Sequence, residues 1–195
     1  MPGMSERLGY WQQTYPTATQ FWALDPRPEE IHIEDIAHAL SLQCRFAGHV
    51  KHFYSVAQHS WYVSQNVPPE FALWGLLHDS AEAYLGDMIR PLKKTKELGL
   101  EYCIIERQLM TVIAKKFGLS LEHVKESTDL LEPAEVIEAD QRILMTEKRD
   151  IVAPPQVPWG EMQGYKVEPY DFNIIEWSPR KAEVRFLDQF SGLMR

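Results

Sequence analysis

Hydrophobic positions recur along most of the chain at helical spacing, and the breaks between those runs lay out its elements. Ile33, Ile36, Ala37, Leu40 and Leu42 approximate one face of a predicted helix, and Gly48 breaks the pattern after Arg45-Phe46-Ala47. Val56, Ala57, Trp61 and Val63 predict a second helix that ends at Asn66-Val67-Pro68-Pro69. A third starts there, since proline is tolerated in a first helical turn, and runs to about Leu85 with Gly86 as its stop. Asp87 to Lys94 follows as a loop or short turn. Two longer helices come next, one from about Leu100 to Phe117 and one from Pro133 to about Asp150. Ile104, Ile105, Leu109, Val112 and Ile113 form the apolar face of the first, and Val136, Ile137, Ile143 and Leu144 that of the second. Residues 153–170 hold too many prolines and glycines for a regular element, with Trp159 and Tyr165 as candidates to pin the segment down. Ser178-Pro179 then reads as an N-cap with proline at the first helical position, opening a last helix through Phe186, Leu187 and Phe190.

Upstream of these helices the pattern changes. Phe21-Trp22-Ala23-Leu24 and Ile31-His32-Ile33 read as two short extended pieces separated by Asp25-Pro26-Arg27-Pro28, whose prolines block a helix. The sum is an all-α single domain over residues 1–195 with a small N-terminal β-hairpin, and no internal repeat interrupts it. Helical architecture says nothing about function by itself, which must be argued from sites.

Composition narrows the partners. With 20 Lys and Arg against 28 Asp and Glu, the net charge of −8 argues against coating nucleic acid or an anionic membrane, which clustered cations hold. A small anionic ligand in a locally basic pocket stays compatible. No segment approaches the roughly 20 apolar residues that span a bilayer. The start, Met1 to Arg7, lacks the apolar stretch of a signal peptide, and Cys44 and Cys103 form no C-x-x-C pair. The expected compartment is therefore the cytoplasm.

Chemistry concentrates in the middle of the chain, where four of the seven histidines, His49, His52, His59 and His78, fall within thirty residues. His78-Asp79 interrupts an apolar helix, Leu73-Trp74-Gly75-Leu76-Leu77, and an ionised carboxylate buried there without a partner costs several kcal/mol. An ion pair or a buried hydrogen bond would compensate Asp79, and so would a cation. Glu82, four residues after His78, shares its helix face, and Asp87 follows just past the helix end. His59 lies on the preceding helix, and Asp140 sits in Ile137-Glu138-Ala139-Asp140-Gln141, again between apolar positions. Two imidazoles and two carboxylates from three helices can cage a hard or borderline divalent cation while leaving positions open to solvent.

The order His59, His78-Asp79, Asp140 resembles the H…HD…D signature of the HD-domain metal-dependent phosphohydrolases. The likeness extends through Arg45-Phe46-Ala47-Gly48-His49, Tyr54 to Ser60, His78 to Tyr84, Gly86 to Lys93 and Glu138-Ala139-Asp140, covering roughly residues 20–150. This pattern is similar to the compact nucleotidase branch, which includes bacterial 5′-deoxynucleotidases and phage dATP triphosphohydrolases. The resemblance implies that His59, His78, Asp79 and Asp140 ligate one divalent metal per site, Co²⁺, Zn²⁺, Mn²⁺ or Mg²⁺. It implies that Glu82 and Asp87 handle protons around an attacking water, and that Arg45, Lys93, His49 and His52 face the phosphates. Taken alone, Arg45 or Lys93 could equally be an ordinary surface charge. Only His123 follows His78, so the extra histidines of binuclear cyclic-dinucleotide enzymes are missing, and so are the additional motifs of guanosine tetraphosphate hydrolases.

Phe21-Trp22-Ala23-Leu24 resembles a stretch in the phage enzymes whose Trp stacks on adenine and whose aliphatic residue crowds the purine edge. Trp22 and Leu24 match those positions, with Pro91 lining the same pocket; an aromatic packed into the core is the competing reading of Trp22. The resemblance thus implies a deoxynucleoside triphosphate triphosphohydrolase preferring dATP, which would deplete that pool in the host cytoplasm if the chain is phage-encoded. Alternatives are a 5′-deoxynucleotidase on monophosphates, a broad dNTP phosphohydrolase, and a non-catalytic nucleotide-sensing module. Lys51, Arg90, Lys93, Lys94 and Lys96 offer more charge than a monophosphate needs. A homo-oligomer, dimer or hexamer, is the expected assembly.

Overall fold

The structure, a computed structural model, describes residues 7–122, 124, 131–157 and 167–195. Two short strands come first: β1 (Trp11–Gln13) and β2 (Gln20–Trp22) pair antiparallel, with Trp11 opposite Trp22 and Gln12 opposite Phe21. The helices follow as α1 (Ile33–Leu42), α2 (Val56–Gln65), α3 (Ala72–Leu77), α4 (Glu82–Leu85), α5 (Arg90–Lys93), α6 (Leu98–Phe117), α7 (Ala134–Asp150) and α8 (Pro179–Leu193). The described chain is mostly helical with one small antiparallel sheet near its N-terminus, and none of its helices is long and apolar enough to cross a membrane.

Helix α2 is the hub. The Ser55 hydroxyl caps it by accepting from the Gln58 amide at 3.1 Å, and α1, α3, α7 and α8 pack around it. Eight of its ten residues are buried, four of them polar, and buried polar groups need partners. Gln58 donates to the Ile175 carbonyl at 2.6 Å, and Ser64 donates to the Ala72 carbonyl at 2.8 Å while accepting from Gln189. His59 turns instead toward α3 and α7. Where α2 meets α3, Gly75 rests on the Val63-Ser64 backbone so closely that a Cβ would stand 3.0 Å from the Ser64 Cα. This contact brings His59 and His78 within reach of each other.

Two local readings of the sequence are corrected. The hairpin pairs β2 with Trp11–Gln13, not with Ile31-His32-Ile33. Ile31 is buried, but as part of the lead into α1; the sheet's anchor is Phe21, fully buried and stacked on Tyr84 at 4.1 Å. The helix expected to run to Leu85 is interrupted after Leu77. Through Ser80, Glu82 and Ala83 each amide closes on the carbonyl three residues back, and the Gly75 carbonyl carries the His78 ring.

Trp159 and Tyr165 lie outside the described residues. From residue 167 on the chain is held by other groups. Arg149 donates to the carbonyls of Tyr170 and Phe172, and the Phe172 and Trp177 rings pack against Tyr62 of α2.

Candidate metal centre

Three elements converge here. His59 comes from the middle of α2, His78 and Asp79 from the turn after α3, and Asp140 from the second turn of α7. The two imidazole Nε2 atoms stand 3.3 Å apart; Asp140 Oδ1 is 3.2 Å from the His59 Nε2, and Asp79 Oδ2 is 3.2 Å from the His78 Nε2. One donor atom each from His59, His78 and Asp140 fits within 4.8 Å of the others, and Asp79 Oδ2 lies 3.6 Å from the His59 Nε2.

The far sides of both rings explain why Nε2 faces inward. His78 Nδ1 donates to the Gly75 carbonyl at 2.9 Å, since a carbonyl oxygen can only accept. His59 Nδ1 donates to Glu147 Oε1 at 2.6 Å. With both Nδ1 protons placed, two nitrogen lone pairs and two carboxylates meet in a buried space, an arrangement that requires positive charge between them. Protons can supply it. Burial opposes the imidazolium, yet the Asp79 carboxylate pushes His78 up to about 10. Burial likewise opposes ionised Asp79, and His78, His59 and Arg45 together hold it far below the usual carboxylate range. Asp140 is also lowered against burial, by His59. A divalent cation fits the same donors: nitrogen and oxygen without thiolate, and at most four protein ligands, a number compatible with further exchangeable ones.

Around this cluster lies a second set of charges. Arg45 reaches Asp79 through Nη1 and Glu147 through Nη2, each at 3.4 Å. Its backbone position is unusual, because Phe46, Ala47 and Gly48 all take positive φ, at 56°, 51° and 83°. Glu82 is buried, one of its carboxyl oxygens has no hydrogen-bond partner, and burial reinforced by Asp79 and Asp87 drives it well above the usual range. The same surroundings that disfavour its ionised form make it hold its proton more tightly than a solvated carboxyl does. Asp87 contributes its charge from the loop after α4, where its amide donates to the Gln43 side chain, and Gln43 donates in turn to the Glu82 carbonyl.

Lys93 sits between two carboxylates, 2.8 Å from Glu106 and 3.5 Å from Glu82, instead of standing unpaired at the mouth. Arg90 is the more open cation there, 44% exposed at its side chain and 4.0 Å from Asp140. Pro91 is exposed in the first turn of α5. His49 is exposed beyond the left-handed turn, and His52 is half-buried with Nδ1 donating to the Phe53 carbonyl at 3.2 Å. Among the described residues neither forms an ion pair with a carboxylate, and His123 is not described. Trp22 is half-buried in β2 with the Arg7 guanidinium 4.0 Å from its ring centroid, and Leu24 is exposed beside Gly9.

Sequence reasoning missed Gln43, Glu106, Glu132 and Glu147. Glu132 lies just before α7, where burial, with Asp140 and Asp79 reinforcing it against His78, raises it to about 8. For Glu147 a signal existed. It follows Ile143 by four residues and so falls on the buried stripe of α7, where a charge stands out as Asp79 does in its own helix.

Comparison with known proteins gives kinship without a function. No family profile matches the chain. It is 39% identical over 165 residues to YfdR of Escherichia coli strain K12, described as uncharacterised, a match covering 85% of each protein. An uncharacterised protein of Rhodobacter capsulatus is 38% identical over 105 residues, covering 49% of this chain and 53% of that protein.

Proposed function

We infer, for a chain that belongs to the same family as Escherichia coli YfdR, a metal-dependent phosphohydrolase of the HD type that cleaves the 5′-phosphate ester of deoxynucleotides. The observation that carries this reading is the meeting of His59, His78 and Asp140 donors within 4.8 Å of one another, with Asp79 Oδ2 beside both imidazoles and the buried Glu82 carboxyl close to Asp79. When bound, a divalent cation, one per site, supplies Lewis acidity: it acidifies water and polarises a phosphoryl oxygen.

The protein's residues do the rest. Glu82 exchanges a proton with the water or the leaving 5′-oxygen, a role suited to a carboxyl whose pKa is raised by burial and by the charges of Asp79 and Asp87. Asp87 adds the negative charge that helps keep that proton in place. Arg45, held in a fork by Asp79 and Glu147, offers fixed positive charge where charge spreads over the phosphoryl oxygens. Arg90 at the mouth meets the outer phosphates.

The leading substrate is dATP, hydrolysed to deoxyadenosine and triphosphate, on the likeness of Trp22 and Leu24 to the base-reading residues of the phage enzymes. A second reading, a 5′-deoxynucleotidase on monophosphates, is favoured by one observation: Lys93, counted toward a triphosphate, is already paired with Glu106 at 2.8 Å. The setting proposed is cytoplasmic, in a homo-oligomer.

The test incubates purified protein with each dNTP and dNMP plus Co²⁺, Mn²⁺, Mg²⁺ or Zn²⁺ and resolves the products. Triphosphate released from dATP, and its loss in Asp79→Ala, are expected. Orthophosphate from monophosphates alone moves the assignment to the second reading. Pyrophosphate from any dNTP rejects the ester-cleaving mechanism, and no turnover of any nucleotide leaves a sensing module.

A further inference from the structure

Glu147 is fully buried on α7, two helical turns beyond Asp140 on the same face. It touches the site only through others: Oε1 accepts from His59 Nδ1 at 2.6 Å and Oε2 faces Arg45 Nη2 at 3.4 Å. A carboxylate removed from water costs several kcal/mol unless paired, and a neutral imidazole is a weak compensation. Arg45 provides the charge balance, but its second fork arm is committed to Asp79. The short bond to His59 therefore calls for a reason of its own.

We propose that Glu147 is a positioning residue for cation binding: it fixes the His59 ring with the proton on Nδ1, so that the Nε2 lone pair points at the site, and holds the Arg45 guanidinium beside it. An imidazole has two nitrogens and can rotate, and only an acceptor on one side selects the other as ligand. For His78 that acceptor is the Gly75 carbonyl, part of the backbone and beyond the reach of side-chain substitution. For His59 it is a side chain, so its contribution can be measured. A charged acceptor also makes the ring a stronger donor, which a carbonyl does to a smaller degree. The proposal rests on the cation-binding reading of the cluster.

The experiment titrates Co²⁺ into wild type, Glu147→Gln, Glu147→Ala and His59→Ala, each shown folded by circular dichroism, following heat and the visible ligand-field bands. Wild type should bind one Co²⁺ per chain, and Glu147→Ala should bind roughly 10- to 100-fold more weakly. Glu147→Gln, whose amide oxygen can still accept from Nδ1, should fall between the two. In Zn²⁺-loaded wild type, a long-range ¹H–¹⁵N spectrum should show His59 protonated at Nδ1 in a strong hydrogen bond; that signature is lost in Glu147→Ala, which a merely structural role would not produce. Should Glu147→Ala fail to fold, Glu147→Gln decides the matter. Co²⁺ affinity in the folded variants within twofold of wild type overturns the proposal and leaves the centre intact. Wild type that binds no Co²⁺, or binds it unchanged in His59→Ala, overturns the centre itself.

Discussion

The inner and outer ends of the candidate site are built on opposite principles. At the inner end, His59, His78, Asp79, Asp140 and Glu147 stand on or directly beside helices that make up the core, and each polar contact answers another. At what the proposed function takes as the outer end, Trp22, Leu24, Pro91, His49 and Arg90 stand on or beside a two-stranded ribbon, a loop and a one-turn helix, all half-buried or exposed. Geometry that chemistry depends on is thus fixed by the same packing that folds the protein, where displacement is costly. Under the proposed function, recognition of the rest of a ligand would fall to segments that can change without disturbing the core. Glu82 and Lys93 mark the border, since Glu82 is buried while its partner Lys93 is shared with Glu106 on α6.

The largest effect should come from removing the proposed proton carrier at that border. Glu82→Gln keeps the shape but cannot ionise, so hydrolysis should fall by about 10²- to 10⁴-fold. Co²⁺ affinity should stay close to wild type, because Glu82 is not among the converging donors. Measuring turnover and Co²⁺ binding on the same preparation separates the two. Equal loss of both would mean that Glu82 belongs to the inner cage and that no border runs between it and the metal centre.

How much of this was legible beforehand follows the same division. Asp79 and Asp140 announced themselves because a carboxylate on an apolar helix face demands a partner. Glu147 obeys that rule as well, on the stripe with Val136, Ala139, Ile143 and Leu144, but it lies beyond the motif, which ends at Asp140. The interruption after Leu77 had no local mark. Ser80, Ala81, Glu82 and Ala83 suit a continuous helix, and the tightening comes from tertiary contacts of His78 and the turn around it. The partner of β2 was illegible for another reason: Trp11-Gln12-Gln13 is exposed throughout, so no alternation of burial betrays a strand that is held by its backbone and by Gln12 donating to the Tyr84 carbonyl. The pairing of Lys93 depends on Glu106 across the α5–α6 contact, thirteen residues away on a different helix.

An intermediate effect is expected from Trp22→Ala at the outer end. If adenine stacks on this ring, the substitution should raise KM for dATP by roughly 5- to 150-fold, the equivalent of about 1–3 kcal/mol, with kcat little changed. One face of the ring already carries Arg7, which is anchored by Asp25 and Glu30, so the base would use the other face or displace that guanidinium. The check is steady-state kinetics with dATP beside a pyrimidine dNTP. A loss of thermal stability with unchanged KM for both would show that Trp22 serves only as the floor under Arg7.

The smallest effect concerns the turn that joins the two ends. Arg45 points into the centre and His49 lies outside it, and between them three successive residues hold positive φ. Left-handed backbone costs an L-residue roughly 1–2 kcal/mol, and glycine escapes that cost while losing more entropy on folding. Ala47 is exposed at φ 51°, so Ala47→Gly changes little besides this balance and should stabilise the protein by about 0.5–1 kcal/mol. For a chain of this size that corresponds to a rise in Tm of about 1–4 °C by calorimetry. Cation affinity should not move, because Arg45 is held independently by Asp79, by Glu147 and by its amide bond to the Tyr54 carbonyl at 2.9 Å. A stabilised variant with weakened Co²⁺ binding would instead show that the strained turn presses Arg45 into place, making the inner end dependent on the loop that leads out of it.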